Sequence, residues 1–162
     1  MRYDFFRIFG LRADRGVVGR QNMCIFVLGI QSLYFENMKR CVLVTGGAGY
    51  IGSHTAVELV EAGYDVVIVD NLSNSDEQAV EGVRRITGAE IPFEKVDCCD
   101  REAFEQVFRK YRFDAVIHFA ASKAVGESVE KPLLYYRNNL TSFVNVLELI
   151  SKYGCSNIVF SS

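Results

Sequence analysis

Val44-Thr45-Gly46-Gly47-Ala48-Gly49-Tyr50-Ile51-Gly52-Ser53 follows an apolar run, Cys41 to Val44, and opens a helical pattern from about Tyr50 to Ala62. Gly46, Gly49 and Gly52 stand at G-x-x-G-x-x-G spacing, and Asp70 closes a second apolar run, Val66 to Val69. Strand, glycine turn, helix, strand and acid in that order form the dinucleotide-binding fingerprint. The first glycine permits the tight turn, and the second lets the backbone approach a pyrophosphate. The third lets helix and strand pack closely, with the helix N-terminus facing the phosphate charge. A carboxylate at Asp70 can bond the ribose hydroxyls of adenosine and repels a 2′-phosphate, which favours NAD over NADP. Residues 71–75, Asn-Leu-Ser-Asn-Ser, carry no arginine to offset that repulsion. A plainer role, capping a loop, is also open to Asp70.

Working outward, strands and helices alternate. The pattern predicts strands at Cys41–Thr45, Val66–Asp70, Phe93–Val96, Ala115–Phe119 and Asn157–Phe160. Between them it predicts a helix ending near Gly63 and one within Asn71 to Gly88 with Val80, Val83 and Ile86 on one face. Two more follow, at about Arg101–Tyr111 and Leu133–Tyr153. Near-continuous apolar strands alternating with helices argue a parallel sheet covered on both faces. The fold class is therefore α/β, a Rossmann-type doubly wound parallel sheet that breaks off after its fifth strand.

Asp97 ends the third strand where a side chain can reach an adenine edge, although Asp97-Cys98-Cys99-Asp100 can equally cap the next helix. The fourth strand runs into His118-Phe119-Ala120-Ala121-Ser122-Lys123, whose small residues let backbone approach a ligand across the carboxyl edge of the sheet. Lys123 can reach a ribose or a phosphate from there, or stand as a solvated loop lysine. His118 and His54 have no Ser, Cys or acidic partner at a legible spacing and read as structural.

The 162 residues suit one domain with a substantial core, and a net charge of −2 gives no reason to expect nucleic acid or a membrane surface as partner. Five cysteines (Cys24, Cys41, Cys98, Cys99, Cys155) form no C-x-x-C pair and no zinc spacing, so no metal site is expected. Reduced thiols in a cytoplasmic protein are the expectation. Residues 1–37 differ from the rest: five arginines, no lysine and an apolar patch, Met23 to Ile30, too short to span a bilayer. They read as an extension upstream of a working start at Met38, with an Arg-rich targeting leader as the alternative.

Gly46 to Ser53 with Asp70, then His118-Phe119-Ala120-Ala121, resembles the extended short-chain dehydrogenase/reductase family. Lys123-Ala124-Val125-Gly126-Glu127-Ser128-Val129-Glu130-Lys131-Pro132-Leu133, continuing Tyr135-Tyr136-Arg137-Asn138-Asn139, is similar to a narrower branch, the nucleotide-sugar 4-epimerases. The likeness covers residues 39–162. It implies an isomerase that interconverts UDP-glucose and UDP-galactose in galactose metabolism, with NAD removing and returning a hydride at C4 of the sugar. It further assigns Tyr50 and Ile51 to the pyrophosphate turn, Asp70, Asn71, Leu72, Ser73, Asn74 and Ser75 to the adenosine ribose side, and Asp97 and Cys98 to adenine. Phe119, Ala120, Ala121, Ser122 and Lys123 would line the nicotinamide half with Asn138, while Lys123, Ala124 and Val125 would also border the UDP-sugar. A homodimer is implied, with the Arg101–Tyr111 and Leu133–Tyr153 helices as candidate faces. The family's catalytic Ser or Thr and its Tyr-x-x-x-Lys pair belong downstream of Ser162, and its sugar-nucleotide domain after them. No tyrosine here has a lysine four positions on. The expectation is an incomplete NAD-binding domain over 38–162, inactive alone. Two alternatives stand beside it: another nucleotide-sugar enzyme sharing this NAD half, and a non-catalytic NAD-binding module.

Overall fold

The structure, a computed structural model, describes residues 39–161. The expectations for residues 1–37, for Met38 as a start and for Cys24 and Ser162 lie outside them. Five segments become strands: β1 (Cys41–Thr45), β2 (Asp65–Asp70), β3 (Phe93–Lys95), β4 (Ala115–His118) and β5 (Asn157–Phe160). All four pairings are parallel and the sheet order is β3-β2-β1-β4-β5, with Thr45 opposite both Val69 and His118. The chain thus winds outward in one direction from β1 to β3, then returns across β1 to β4. This reversal opens a crevice at the carboxyl ends of β1 and β4, where open α/β sheets bind ligands.

Five helices connect the strands: α1 (Tyr50–Glu61), α2 (Glu77–Thr87), α3 (Arg101–Lys110), α4 (Val125–Glu130) and α5 (Pro132–Tyr153). Pleat alternation divides the strand side chains between two faces. On one face Leu43, Val67, Val69 and Val116 meet Phe104, Val107 and Phe108 of α3 and Val146, Leu149 and Ile150 of α5. Phe108 makes edge-to-face contacts with Phe104 and Phe113, at centroid distances of 5.4 and 5.2 Å. Burying aromatic rings in this geometry adds roughly 0.5–1.5 kcal/mol per pair beyond the area removed from water. α1 and α2 pack against each other, burying Ala56, Leu59, Val80 and Val83.

At the outer edge of the α3–α5 contact, Glu105 bonds Lys152 and Tyr153 of α5 and Arg109 and Arg101 of its own helix. The Lys152 bond, then the Tyr153 hydroxyl, pull its carboxyl down to about 2, with the two arginines adding to the effect.

Three expectations are corrected. Ile86 does not share the buried face with Val80 and Val83; it is 69% exposed. A three-residue step on a helix falls 60° short of a full circle, so two steps carry Ile86 some 120° away from Val80. The α4 helix was not predicted: it has six residues, none buried, and so no apolar period to read. Finally, Phe119 lies just beyond β4, although its N–H still donates to the Thr45 carbonyl at 3.0 Å.

Candidate functional site

The glycine turn starts from β1. Gly46 adopts φ +67°, a region open to glycine and costly for residues with a Cβ. It also lies against the chain leaving β4: a Cβ there would stand 2.7 Å from the Ala120 nitrogen and 2.8 Å from the Phe119 carbonyl carbon. Gly52 seals the other side, since its Cβ would fall 2.2 Å from the Gly46 oxygen. The first and third glycines therefore hold turn, helix and neighbouring strand together.

The helix that follows begins unlike α2 and α3. α2 starts on the Asp76 side chain with Glu77 in its first turn, and α3 starts on Asp100 with Glu102. α1 starts on Gly49, with no side-chain cap and no acid in its first turn. Its positive end is left for an anion from outside the helix. Tyr50 and Ile51 expose their side chains, and what they offer the crevice is backbone at that end.

Asp70 stands at the tip of β2, 8% exposed. Its Oδ2 accepts the Ala48 N–H at 3.0 Å, and its Oδ1 accepts the Leu72 N–H at 2.9 Å and the Ser75 hydroxyl at 2.8 Å. The carboxylate thus pins the glycine turn and the following loop together. It does cap that loop, as the plainer reading held, without exhausting its acceptor capacity of about four sites. Leu72 itself takes φ +59°, held by the same carboxylate. The choice left open for Asp97 is settled as to the cap: Asp100 caps α3, and Asp97 accepts from Asn71 Nδ2 at 3.1 Å and the Cys99 N–H at 2.8 Å.

These pieces surround one cleft. Gly46 and Gly49 form its floor. Asp70, Asn71, Ser73, Asn74 and Ser75 form one wall, Asp97 and Cys98 its far end, and Phe119, Ala120, Ala121, Ser122 and Asn138 the opposite wall. Tyr50, Ile51, Gly52, Leu72 and Lys123 do not line it, nor do Ala124 and Val125. The Lys123 amine turns toward Ser161, 3.4 Å from its hydroxyl and 3.5 Å from its carbonyl. The sequence reading missed Val96 and Ser142, which line the cleft, and Asn139 and Asn145, which brace it. A signal existed: Asn139, Ser142 and Asn145 recur at three-residue spacing along a helix that turns apolar on its inward side from Val146 onward.

His118, Cys98 and Cys99, in and beside the cleft, are held neutral near pH 7. His118, fully buried between β1 and β5, bonds Thr45 Oγ1 through Nδ1 at 2.7 Å and stacks on Phe160. Burial, and then the Lys123 charge, push it down to about 4, so it is neutral near pH 7. Its partner lies 73 residues away in sequence, beyond any local spacing. His54 folds back on its own helix, against the Tyr50 carbonyl. Burial raises the Cys98 thiol, and burial followed by Asp97 pushes Cys99 up to about 11; neither is a thiolate nucleophile.

A parallel sheet in this order, with a glycine turn after β1 and a carboxylate closing β2, defines a Rossmann-type α/β domain. The chain belongs to the family described as GDP-mannose 4,6 dehydratase, which matches residues 43–162. It is 55% identical over 128 residues to UDP-glucose 4-epimerase 2 of Arabidopsis thaliana, covering 77% of this chain and 37% of that one. It is 56% identical over 121 residues to UDP-glucose 4-epimerase of Bacillus subtilis, covering 75% and 36%. A solved structure of UDP-glucose 4-epimerase from Bifidobacterium longum in complex with NAD+ and UDP superposes with a TM-score of 0.74. That protein is 49% identical, with 75% of this chain and 36% of that one covered. The chain spans a little over a third of the length of these relatives.

Two glycine substitutions separate the site from the scaffold. Gly46→Ala should lower unfolding free energy by more than ~2 kcal/mol, since it combines a left-handed backbone with a clash against backbone atoms. Gly82→Ala, mid-helix in α2 with open space around the new methyl, should raise it by about 0.5–1 kcal/mol. Urea unfolding monitored by circular dichroism measures both. Equal effects would show that the turn has no special demand for glycine.

Proposed function

We propose that this chain is the NAD-holding part, over residues 38–162, of a UDP-glucose 4-epimerase that interconverts UDP-glucose and UDP-galactose. The observation that carries the reading is identity above 50% with curated UDP-glucose 4-epimerases over about three quarters of this chain. The cleft suits the cofactor: Gly46 and Gly49 line it without side chains, and α1 offers an anion an uncapped end.

Residues Gly46, Gly49 and Gly52, with the Tyr50 and Ile51 backbone, would hold the pyrophosphate. Asp70, with acceptor capacity left over, would take a ribose hydroxyl, flanked by the loop from Asn71 to Ser75. Asp97 and Cys98 would meet adenine. Phe119 to Lys123 and Asn138 would face the nicotinamide half, and Lys123, Ala124 and Val125 the UDP-sugar. When bound, NAD supplies the hydride chemistry at C4 of the sugar. The chain's own residues position the cofactor and exclude a 2′-phosphate. They do not move the substrate proton: His118 is neutral, buried and committed to Thr45, both cleft thiols are raised, and no Tyr-x-x-x-Lys pair occurs in these 162 residues. That pair and the remaining sugar-binding residues would lie outside this sequence, so the chain alone would hold NAD without turnover. Four free cysteines, none paired among the described residues, support a cytoplasmic setting. No described helix is long and apolar enough to cross a membrane. The family description, a dehydratase, favours as second reading another nucleotide-sugar enzyme built on this half.

Calorimetric titration of the chain with NAD and NADP tests the proposal. NAD should bind at least tenfold more tightly, Asp70→Ala should narrow that gap, and UDP-galactose should not be converted. Equal affinity for NADP, or turnover by the chain alone, would contradict it.

Self-association belongs to the same reading. α5 exposes Leu133, Tyr136, Leu140, Val144 and Leu147 along one stripe, whereas α3 turns charged residues outward. An apolar stripe of this kind on an outer helix marks a contact surface. We propose that it pairs with a second copy. Sedimentation should find a dimer that Leu140→Glu converts to monomer; a wild-type monomer at every concentration would refute the pairing.

A further inference from the structure

The inward edge of α5 carries a polar contact that the cofactor reading does not use. Asn139 Oδ1 accepts the Ser122 N–H at 2.8 Å, and Asn139 Nδ2 donates to the Ser122 carbonyl at 3.1 Å. One side-chain amide thus satisfies both backbone groups of one residue, as a neighbouring strand would. Ser122 lies in the chain leaving β4, which has no strand partner of its own beyond His118. The adjacent Asn138 donates to the Ser122 hydroxyl at 3.1 Å and to Asn139 Oδ1 at 3.0 Å, so the clamp is itself braced. A second asparagine of the same helix ties the other flank of the cleft by donation alone: Asn145 Nδ2 donates to the Cys98 and Cys99 carbonyls at 2.8 and 3.2 Å.

We infer that Asn139 is a positioning residue for the cofactor cleft: it fixes the wall from Phe119 to Lys123 by holding Ser122 at both backbone groups. It does not line the cleft and acts through Ser122. This rests on the NAD reading above. Without the clamp, no bond to the backbone groups of Ser122 remains among the described residues. The wall is then held by the Phe119 N–H bond to Thr45, the 3.5 Å approach of Ser142 Oγ to the Ala120 carbonyl and the side-chain contacts of Asn138 with Ser122 and of Lys123 with Ser161.

The test compares the wild-type chain with Asn139→Ala and Asn139→Asp. NAD affinity is measured by calorimetry, and exchange of the Ser122 amide by NMR. Asn139→Ala should weaken NAD at least tenfold and accelerate Ser122 exchange at least tenfold, with a folded circular dichroism spectrum. Asn139→Asp keeps the acceptor and loses the donor, so Ser122 should stay protected while NAD affinity falls by a smaller factor. NAD affinities within twofold of wild type in both variants, or Ser122 exchange unchanged in Asn139→Ala, would overturn the inference. So would global unfolding of both variants, which would assign Asn139 to the core. If wild type shows no affinity for NAD, the functional reading fails, and Ser122 exchange still decides the clamp.

Discussion

The carboxylate of Asp70 is the contact on which the functional end of this molecule depends. It sits where β2 ends, and its three hydrogen bonds reach the glycine turn at Ala48 and the following loop at Leu72 and Ser75. Charge-assisted bonds from backbone N–H groups are stronger than neutral ones, and a nearly buried carboxylate left short of donors would be costly. The arrangement therefore ties the turn that follows β1 to the loop that follows β2. One residue type serves structure and recognition together, because a carboxylate that organises a turn also sets the sign of charge a ligand meets there.

The second constraint comes from α5. Its inward side is apolar where it covers the sheet, through Val146, Leu149 and Ile150, and polar where it passes the cleft, through Asn138, Asn139, Ser142 and Asn145. Loops leaving parallel strands have backbone groups that the sheet no longer satisfies, and buried groups of that kind require partners. Asparagine meets both needs, donating and accepting from one planar group. The helix so joins the two walls of the cleft to the hydrophobic core, and carries an exposed apolar stripe on its outer side.

Much of this was legible from residues alone. The strands came through because a fully buried parallel strand needs an unbroken apolar run, and β1, β2 and β4 have one. Gly46, Gly49, Gly52 and Asp70 were legible because their spacing is tied to one local unit. The His118–Thr45 bond was not, since it joins residues brought together only by strand order. Asn139 and Asn145 escaped for the same reason: an asparagine in a helix is unremarkable until the loops it meets are known. α4 has no buried side chain and left no period to find, while Ile86 misled because a three-residue repeat drifts around a helix.

The central claim is that the glycine turn, the Asp70 loop and the β4 exit form one NAD-binding cleft. Amide chemical-shift mapping of the 162-residue chain during titration with NAD tests it most directly. The account predicts shifts concentrated at residues 46–52, 70–75, 97–98 and 119–123, with the outer faces of α2 and α3 unchanged. Saturating NAD that leaves the amides of Ala48, Leu72 and Ser75 unmoved would contradict it.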